Sequence, residues 1–371
     1  MTATLHISPP IHGGQLRQIT ARFGVPAEQL LDFSANINPA GPPSSVLTAI
    51  RGAVERTSTL ATYPDLELVE LKLAIAKYAG VQPENVAVAN GFVPLLEAAL
   101  RSLKIQRCLL LVPSFGGYRN ALENVGVAVT EYRLSSDEQF RYEPDAILDT
   151  VLAQHCDAIL LGNPQNPSGV ICDAGSMQRL IEMAAQHSVS VLLDEAFIDY
   201  CPAVSWTQRS PERANVIVFR SVTKFFAIPG LRVGYAVAQS SSVEAMNRFI
   251  APWPITNFAC DAVCAALQDE SYAEESRLAN ERRCQAMERE FARLKIATYP
   301  SHANFLLLRF PAESDVTLLW EKMIVTEQIV LRLCANFEGL AQGHLRVAVR
   351  SESENERLIL GLERALSNLA I

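Results

Sequence analysis

The sequence predicts an α/β protein: a mostly parallel sheet sandwiched by helices, a smaller α+β C-terminal domain and an N-terminal arm. Three observations predict it. From about Ser45 to Ala238, short and uniformly apolar runs alternate with amphipathic runs of helical length. Strands that are apolar on both faces need a covering layer on each side. After Ala251-Pro252-Trp253-Pro254 the texture changes to longer, more charged helices, and before Ser45 the chain is broken by glycine and proline. The 371 residues suit roughly two domains of ordinary size. The boundaries expected are 1–44 for the arm, 45–250 for the large domain and 251–371 for the small one.

Each element follows from its own periodicity. In the arm, residues 15–23 read as one short helix after His12-Gly13-Gly14. Residues 65–78 have helical spacing, Val86–Ala89 reads as a strand and 94–103 as a helix. Strands at 108–112, 158–161 and 189–193 alternate with helices at 145–155 and 176–187. Strands at 216–219 and 233–238 close the series. Beyond it come one long charged helix at 260–294, a strand at 303–309 and a helix near 315–326. Strands at 329–333 and 345–349 and a final helix complete the chain.

Composition narrows the function. Hydrophobic residues at 49% against 19% charged give an ordinary globular balance, which excludes global disorder. A net charge of −8 offers no basic surplus to neutralise phosphates, which argues against a nucleic-acid partner but not against a local anion pocket. The eight cysteines form no C-x-x-C pair, so no zinc-ribbon or thioredoxin motif is present and no metal is expected. The N-terminus lacks the basic and apolar regions of a secretory signal. No apolar run approaches the roughly 18 residues of a membrane span. A cytoplasmic protein with reduced, mostly buried cysteines is therefore expected. Dinucleotide, P-loop, nucleophile-elbow and zincin motifs are all absent.

In open α/β sheets ligands gather at the carboxyl ends of the strands, so the residues just after each strand matter most. Ser221-Val222-Thr223-Lys224 follows one such strand, with Arg232 eight residues beyond the lysine. A lysine in apolar surroundings is costly to keep charged, and a neutral amine can form a Schiff base. Asp194 closes another strand. A buried carboxylate there needs a cation or donors: an arginine partner, a helix N-cap or a protonated ring nitrogen. Asn163-Pro164-Gln165-Asn166-Pro167-Ser168-Gly169 follows a third strand and is turn-rich on any reading.

Jointly, in order and spacing, these three segments resemble the fold-type-I pyridoxal 5'-phosphate enzymes of the aspartate aminotransferase superfamily over nearly the whole chain. Ser-Val-Thr-Lys-Phe-Phe-Ala-Ile-Pro-Gly-Leu-Arg is similar to the superfamily's cofactor-lysine signature. The resemblance implies the type-I transferase fold and assigns cofactor roles. Lys224 would carry the cofactor aldehyde and move protons. Asp194 would hold the proton on the ring nitrogen, Asn166 would donate to the 3-oxygen and Phe115 would stack on the ring. The phosphate would lie on backbone N–H groups of Gly91, Phe92 and Val93, where a helix start favours an anion. Ser221, Thr223 and Arg232 would complete that cup. Tyr63 resembles the tyrosine that reaches the phosphate from a neighbouring subunit, which implies a homodimer with shared active sites. Two departures stand out: Phe92 and Val93 offer only backbone donors, and Phe197 stands where many relatives carry a tyrosine.

The arm bears on the reaction. His12-Gly13-Gly14 and the run from Leu31 to Pro43, with Asn36 inside it, resemble the start of threonine-phosphate decarboxylases of cobalamin biosynthesis. Arg332-Leu333-Cys334-Ala335-Asn336-Phe337 and His344-Leu345-Arg346-Val347-Ala348-Val349-Arg350 are also similar, with Leu333 where relatives often carry Asp. A phosphorylated amino acid brings about three negative charges, and bidentate arginines such as Arg332 and Arg346 suit its anions. His12, Gly13, Asn36 and Asn166 would add substrate contacts. On their residues alone, His12 reads equally as a surface histidine, Arg332 and Arg346 as structural ion pairs, and Asn36 as a turn residue. Arg350 reads as a solvated face residue. The implied reaction is decarboxylation of L-threonine O-3-phosphate to (R)-1-aminopropan-2-ol O-phosphate. Its rivals are histidinol-phosphate aminotransferase and a non-catalytic binding module of the same fold.

Overall fold

A computed structural model of the protein describes residues 10–311 and 313–367. The first nine residues of the arm, read above for a signal segment, and the last four of the chain lie outside the described residues. The arm carries β1 (Leu31–Asp32). The large sheet is built from β2 (Val86–Ala89), β3 (Arg107–Val112), β4 (Ala128–Arg133) and β5 (Ala158–Gly162), then β6 (Ser190–Asp194), β7 (Val216–Ser221) and β8 (Gly234–Val237). Its strand order is β2-β8-β7-β6-β5-β3-β4. Only β8 runs against its neighbours; β3 to β7 pair in parallel.

Pleating divides the core. Leu109, Ile159, Val191 and Val218 face one helix layer, and Leu110, Leu160, Leu192 and Ile217 face the other. Both faces are thus dry, which is why these strands read as continuous apolar runs. Edge strand β4 is exposed or half-buried throughout, so it carries no apolar run and its pattern does not mark a strand. The helices Gly117–Val125 and Ser44–Glu55 were likewise not expected.

The second sheet, order β12-β13-β10-β9, uses β9 (Ala297–Thr298), β10 (Phe305–Arg309), β12 (Arg332–Leu333) and β13 (His344–Ala348). Between β10 and β12, β11 (Ile329–Val330) pairs in parallel with β1 of the arm. The expected single strand at 329–333 is therefore two strands. The carbonyl of Leu331, at the break, accepts a hydrogen bond from Trp320 Nε1 at 2.9 Å instead of a ladder partner. The expected long helix at 260–294 is also two, Asn257–Leu267 and Glu270–Arg293. Asp269 interrupts it and caps the second helix by accepting from the Tyr272 N–H at 3.1 Å. The first of the pair packs on helices Ser44–Glu55 and Val69–Ala79, beside the large sheet. Helix Val69–Ala79 starts later than periodicity indicates, because Asp65 spends its carboxylate on the Val69 N–H in a turn ahead of it.

The arm lies between the two sheets. Phe33 N–H donates to the Val330 carbonyl and its own carbonyl accepts from Ala348, both at 2.8 Å. Five residues on, Asn38 N–H donates to the Lys224 carbonyl at 3.0 Å. Asn38 Nδ2 donates to Phe225 O and Ser276 Oγ. One extended segment thereby links the β7 strand end to the small sheet.

Candidate active site

The carboxyl ends of β2, β3, β5, β6 and β7 share one rim of the large sheet, and the arm and the small sheet roof it. Between them lies a cleft of about 460 Å³. Strand ends bring Asn90, Ser114, Phe115, Asn166 and Lys224 to it, the arm brings Ile11 to Gly13 and Ser34 to Ile37, and the small sheet brings Arg332 and Arg346.

At its floor, Asp194 is the last residue of β6 and is buried. Its Oδ1 accepts from the Ala196 N–H at 2.9 Å and its Oδ2 from the Tyr118 hydroxyl at 2.6 Å. Neither an arginine nor a helix cap is its partner. Burial raises its pKa, and the Tyr118 hydrogen bond and the Lys224 charge oppose that rise. Lys224 Nζ lies 3.4 Å from Ser221 Oγ and 5.9 Å from the centre of the Phe197 ring. Burial lowers its pKa, with Asp194 opposing and Arg232 reinforcing the shift. Ser221 and Thr223 hydroxyls share a 2.7 Å hydrogen bond beneath the lysine.

At one end of the cleft, helix Phe92–Ser102 points its start inward with no side-chain cap on its N–H groups. Gly91 precedes it at φ 86°, ψ −172°, a region essentially limited to glycine. A Cβ there would stand 2.8 Å from an Arg232 guanidinium nitrogen. Arg232 itself has a left-handed backbone (φ 55°), an unfavourable conformation for a residue with a Cβ. The two strained residues bring a guanidinium and a free helix start together, a cradle for an oxyanion.

The opposite wall is cationic. Arg346 and Arg332 are 5% exposed, yet neither has a carboxylate within 4.0 Å among the described residues. Arg346 donates to Asn166 Oδ1 and, at 3.1 Å, to the Ser34 carbonyl, while its Nε is buried without a partner. Burial pulls its pKa down to about 10. Arg332 donates to the carbonyls of Leu333 and Ile11 and, at 2.7 Å, to Asn336 Oδ1. Burial lowers its pKa as well. Uncompensated buried charge costs several kcal/mol per ion, whereas a structural role would supply a carboxylate. Among the described residues, the ion-pair alternative for these two arginines therefore fails. His12 stands at the mouth, 5.8 Å from Phe115 ring to ring. Burial and then Arg332 lower its pKa. Gly13 lies so close to Ser34 that a Cβ would meet the Ser34 carbonyl oxygen at 2.0 Å. Asn36 Oδ1 is buried without a partner.

Of the expected residues, Gly91, Asp194, Ser221 and Thr223 lie next in the chain to, or in contact with, residues that line the cleft, whereas Tyr63 stands apart from it. It is 81% exposed and stacks on Trp253 with ring centres 4.8 Å apart. Arg350, expected to be solvated, instead ion-pairs with Glu354 at 2.6 Å and donates to the Asp32 carbonyl at 3.0 Å, bracing β1. Phe197 packs on Phe305 at 5.0 Å and brings no hydroxyl. The residues that sequence reasoning missed are Tyr118, Ser34 and Asn336. Tyr118 sits on the unexpected helix Gly117–Val125, three residues after Phe115, and touches both Phe115 and Phe92 with its ring. Its spacing from Phe115 was the available clue.

A buried amine, a buried carboxylate opposite a stacking ring and a glycine-lined oxyanion cradle fit an aldehyde-bearing, phosphorylated heterocycle. Comparison agrees: the sequence model for aminotransferase class I and II matches residues 28–362, and the chain belongs to that family of pyridoxal 5'-phosphate enzymes. Among relatives, it is 33% identical over 366 residues to a threonine-phosphate decarboxylase of Salmonella typhimurium, covering 97% of each chain. The solved histidinol-phosphate aminotransferase of Clostridium acetobutylicum is 28% identical with a TM-score of 0.84, over 91% of this chain and 100% of that one. The Sinorhizobium meliloti histidinol-phosphate aminotransferase, solved with pyridoxal-5'-phosphate, shares the fold at 22% identity and TM-score 0.82, over 100% and 99% of the two chains.

Proposed function

We propose that this enzyme decarboxylates L-threonine O-3-phosphate to (R)-1-aminopropan-2-ol O-phosphate and carbon dioxide, a step of cobalamin biosynthesis. The observation that carries the reading is the pair of buried arginines, Arg332 and Arg346, with no carboxylate within 4.0 Å among the described residues. The similarity to the Salmonella decarboxylase supports it.

Pyridoxal 5'-phosphate, when bound, supplies an electron sink for the pair released at the substrate's α-carbon. Lys224 would hold the cofactor, and its Nζ would be the group that supplies a proton to the α-carbon. Asp194 keeps the ring nitrogen protonated, with Tyr118 and the Ala196 N–H fixing its two oxygens. Phe115 covers the ring, and Asn166 directs its amide nitrogen to the 3-oxygen because Arg346 occupies its oxygen. Gly91, Phe92, Val93, Ser221, Thr223 and Arg232 hold the cofactor phosphate. Arg332, Arg346, His12, Gly13 and Asn36 bind the substrate's anions. With the substrate's phosphate on the arginines, its carboxylate would be left free, and that positioning would favour its loss. A second copy of the chain completes the site through Tyr63, whose exposed ring supports a homodimer.

The rival reading is histidinol-phosphate aminotransferase, favoured by the Clostridium likeness. The test is carbon dioxide release from O-phosphothreonine without any keto acid, which we expect. Keto-acid-dependent turnover of histidinol phosphate with no carbon dioxide from O-phosphothreonine reverses the assignment.

A further inference from the structure

The geometry points to Asn336 as a specificity-determining residue of the anion wall: it orients Arg332 without neutralising it and ties that arginine to the arm, so that phosphate binding and arm docking are one event. The inference deepens the reading of the cleft as a site for a phosphorylated substrate and rests on it.

Three observations converge. Asn336 uses both ends of its amide. Its Oδ1 accepts from Arg332 Nη2 at 2.7 Å, and its Nδ2 donates to the Ile11 carbonyl at 3.2 Å. The same Ile11 carbonyl also accepts from Arg332 Nη2, so guanidinium, amide and arm close a triangle. Every acceptor around Arg332 among the described residues is neutral: two carbonyls and one amide. Its guanidinium is stacked over the Phe337 ring at 4.9 Å, which orients the plane and supplies no countercharge. Neighbouring Leu333 faces the apolar core of the small sheet.

The physical consequence is direct. Neutral acceptors fix a guanidinium's geometry and leave its charge for an incoming ligand. A carboxylate at position 336 has nearly the same shape, but would pair with Arg332 at the same short distance and compete with phosphate. Removing the amide altogether leaves Arg332 charged but frees the Ile11 carbonyl from one of its two donors. The stretch 10–14 is the arm segment that this triangle holds. Among the described residues, its further ties are Gly14 N–H to Ser34 Oγ at 2.9 Å, His12 N–H to Gln15 at 3.2 Å and the His12–Phe115 ring contact at 5.8 Å.

Two variants of the holoenzyme separate these effects. For Asn336→Asp, we expect KM for O-phosphothreonine to rise about tenfold or more, with kcat within about threefold of wild type. Competitive inhibition by inorganic phosphate should weaken in parallel. For Asn336→Ala, we expect faster tryptic cleavage in the arm at Arg17, and phosphate, which we expect to slow that cleavage in wild type, should no longer do so. Asn336→Asp with wild-type KM and phosphate inhibition overturns the inference, and so does wild-type arm protection in Asn336→Ala. A fall in kcat alone, or loss of bound cofactor colour, assigns Asn336 a merely structural role and also overturns it. The trypsin measurement, with and without phosphate, needs no turnover. If wild type releases no carbon dioxide from O-phosphothreonine, the decarboxylase reading fails by itself and the trypsin measurement still decides the role of Asn336.

Discussion

Lys224 is where burial acts most directly on chemistry. An ordinary lysine titrates near 10.5, and burial moves this one below that value. Its amine is therefore uncharged at lower pH than a surface lysine's. The rate of cofactor capture by the apoenzyme, followed by visible absorbance, should rise with pH and level off below 10.5. A midpoint at the ordinary value contradicts the buried environment. The same shift has a stability sign. Folding lowers this pKa, so the unfolded chain binds more protons there between the depressed value and 10.5, and stability from this group rises with pH across that window. It is lost as pH falls through the folded value. Asp194 has the opposite sign: burial raises its pKa, so its contribution is lost as pH rises through the folded value.

At the scale of elements, the start of helix Phe92–Ser102 depends on one backbone conformation. Gly91→Ala forces a Cβ into an almost glycine-only region and to within 2.8 Å of Arg232. We expect a stability loss of about 1–3 kcal/mol by thermal unfolding of the apoenzyme. Because Arg232 must shift, cofactor affinity should fall by about tenfold or more in equilibrium dialysis. Unchanged affinity would mean that the cup does not hold the phosphate. Much of this element was legible beforehand: Asn90-Gly91 after an apolar strand marks a helix start at a sheet rim. The break at Asp269 was not, because a capping aspartate inside a charged run looks like one more solvated residue. Edge strand β4 was missed because half-exposed strands lose the apolar run that marks buried ones.

At the scale of the whole molecule, helices Ser44–Glu55 and Val69–Ala79 and the turn at Trp253 leave a set of large apolar side chains in water. Leu60 is 74% exposed and Tyr63 81%, with Val54, Leu66 and Leu73 also exposed nearby in sequence. Scattered exposed apolar residues are ordinary; we propose that this set is an interface with a second copy of the chain. We expect a dimer by sedimentation velocity. Leu60→Glu should weaken it and lower activity, because Tyr63 could then no longer reach a partner's cleft. A monomer with full activity excludes shared sites.

What the sequence by itself determined was local or periodic: the apolar strands, the helices with clear spacing and the strand-end residues Asp194, Asn166 and Lys224. Those follow from side-chain pattern and chain order, which any folded form must respect. Only the tertiary structure decided which charges stay unpaired. Whether Arg332 and Arg346 meet a carboxylate or face an open cleft depends on packing among the arm, β12, β13 and the loop after β5, segments as much as 300 residues apart in the chain. The same packing hands the oxygen of Asn166 to Arg346 and the carboxylate of Asp194 to Tyr118, contacts that no spacing rule encodes.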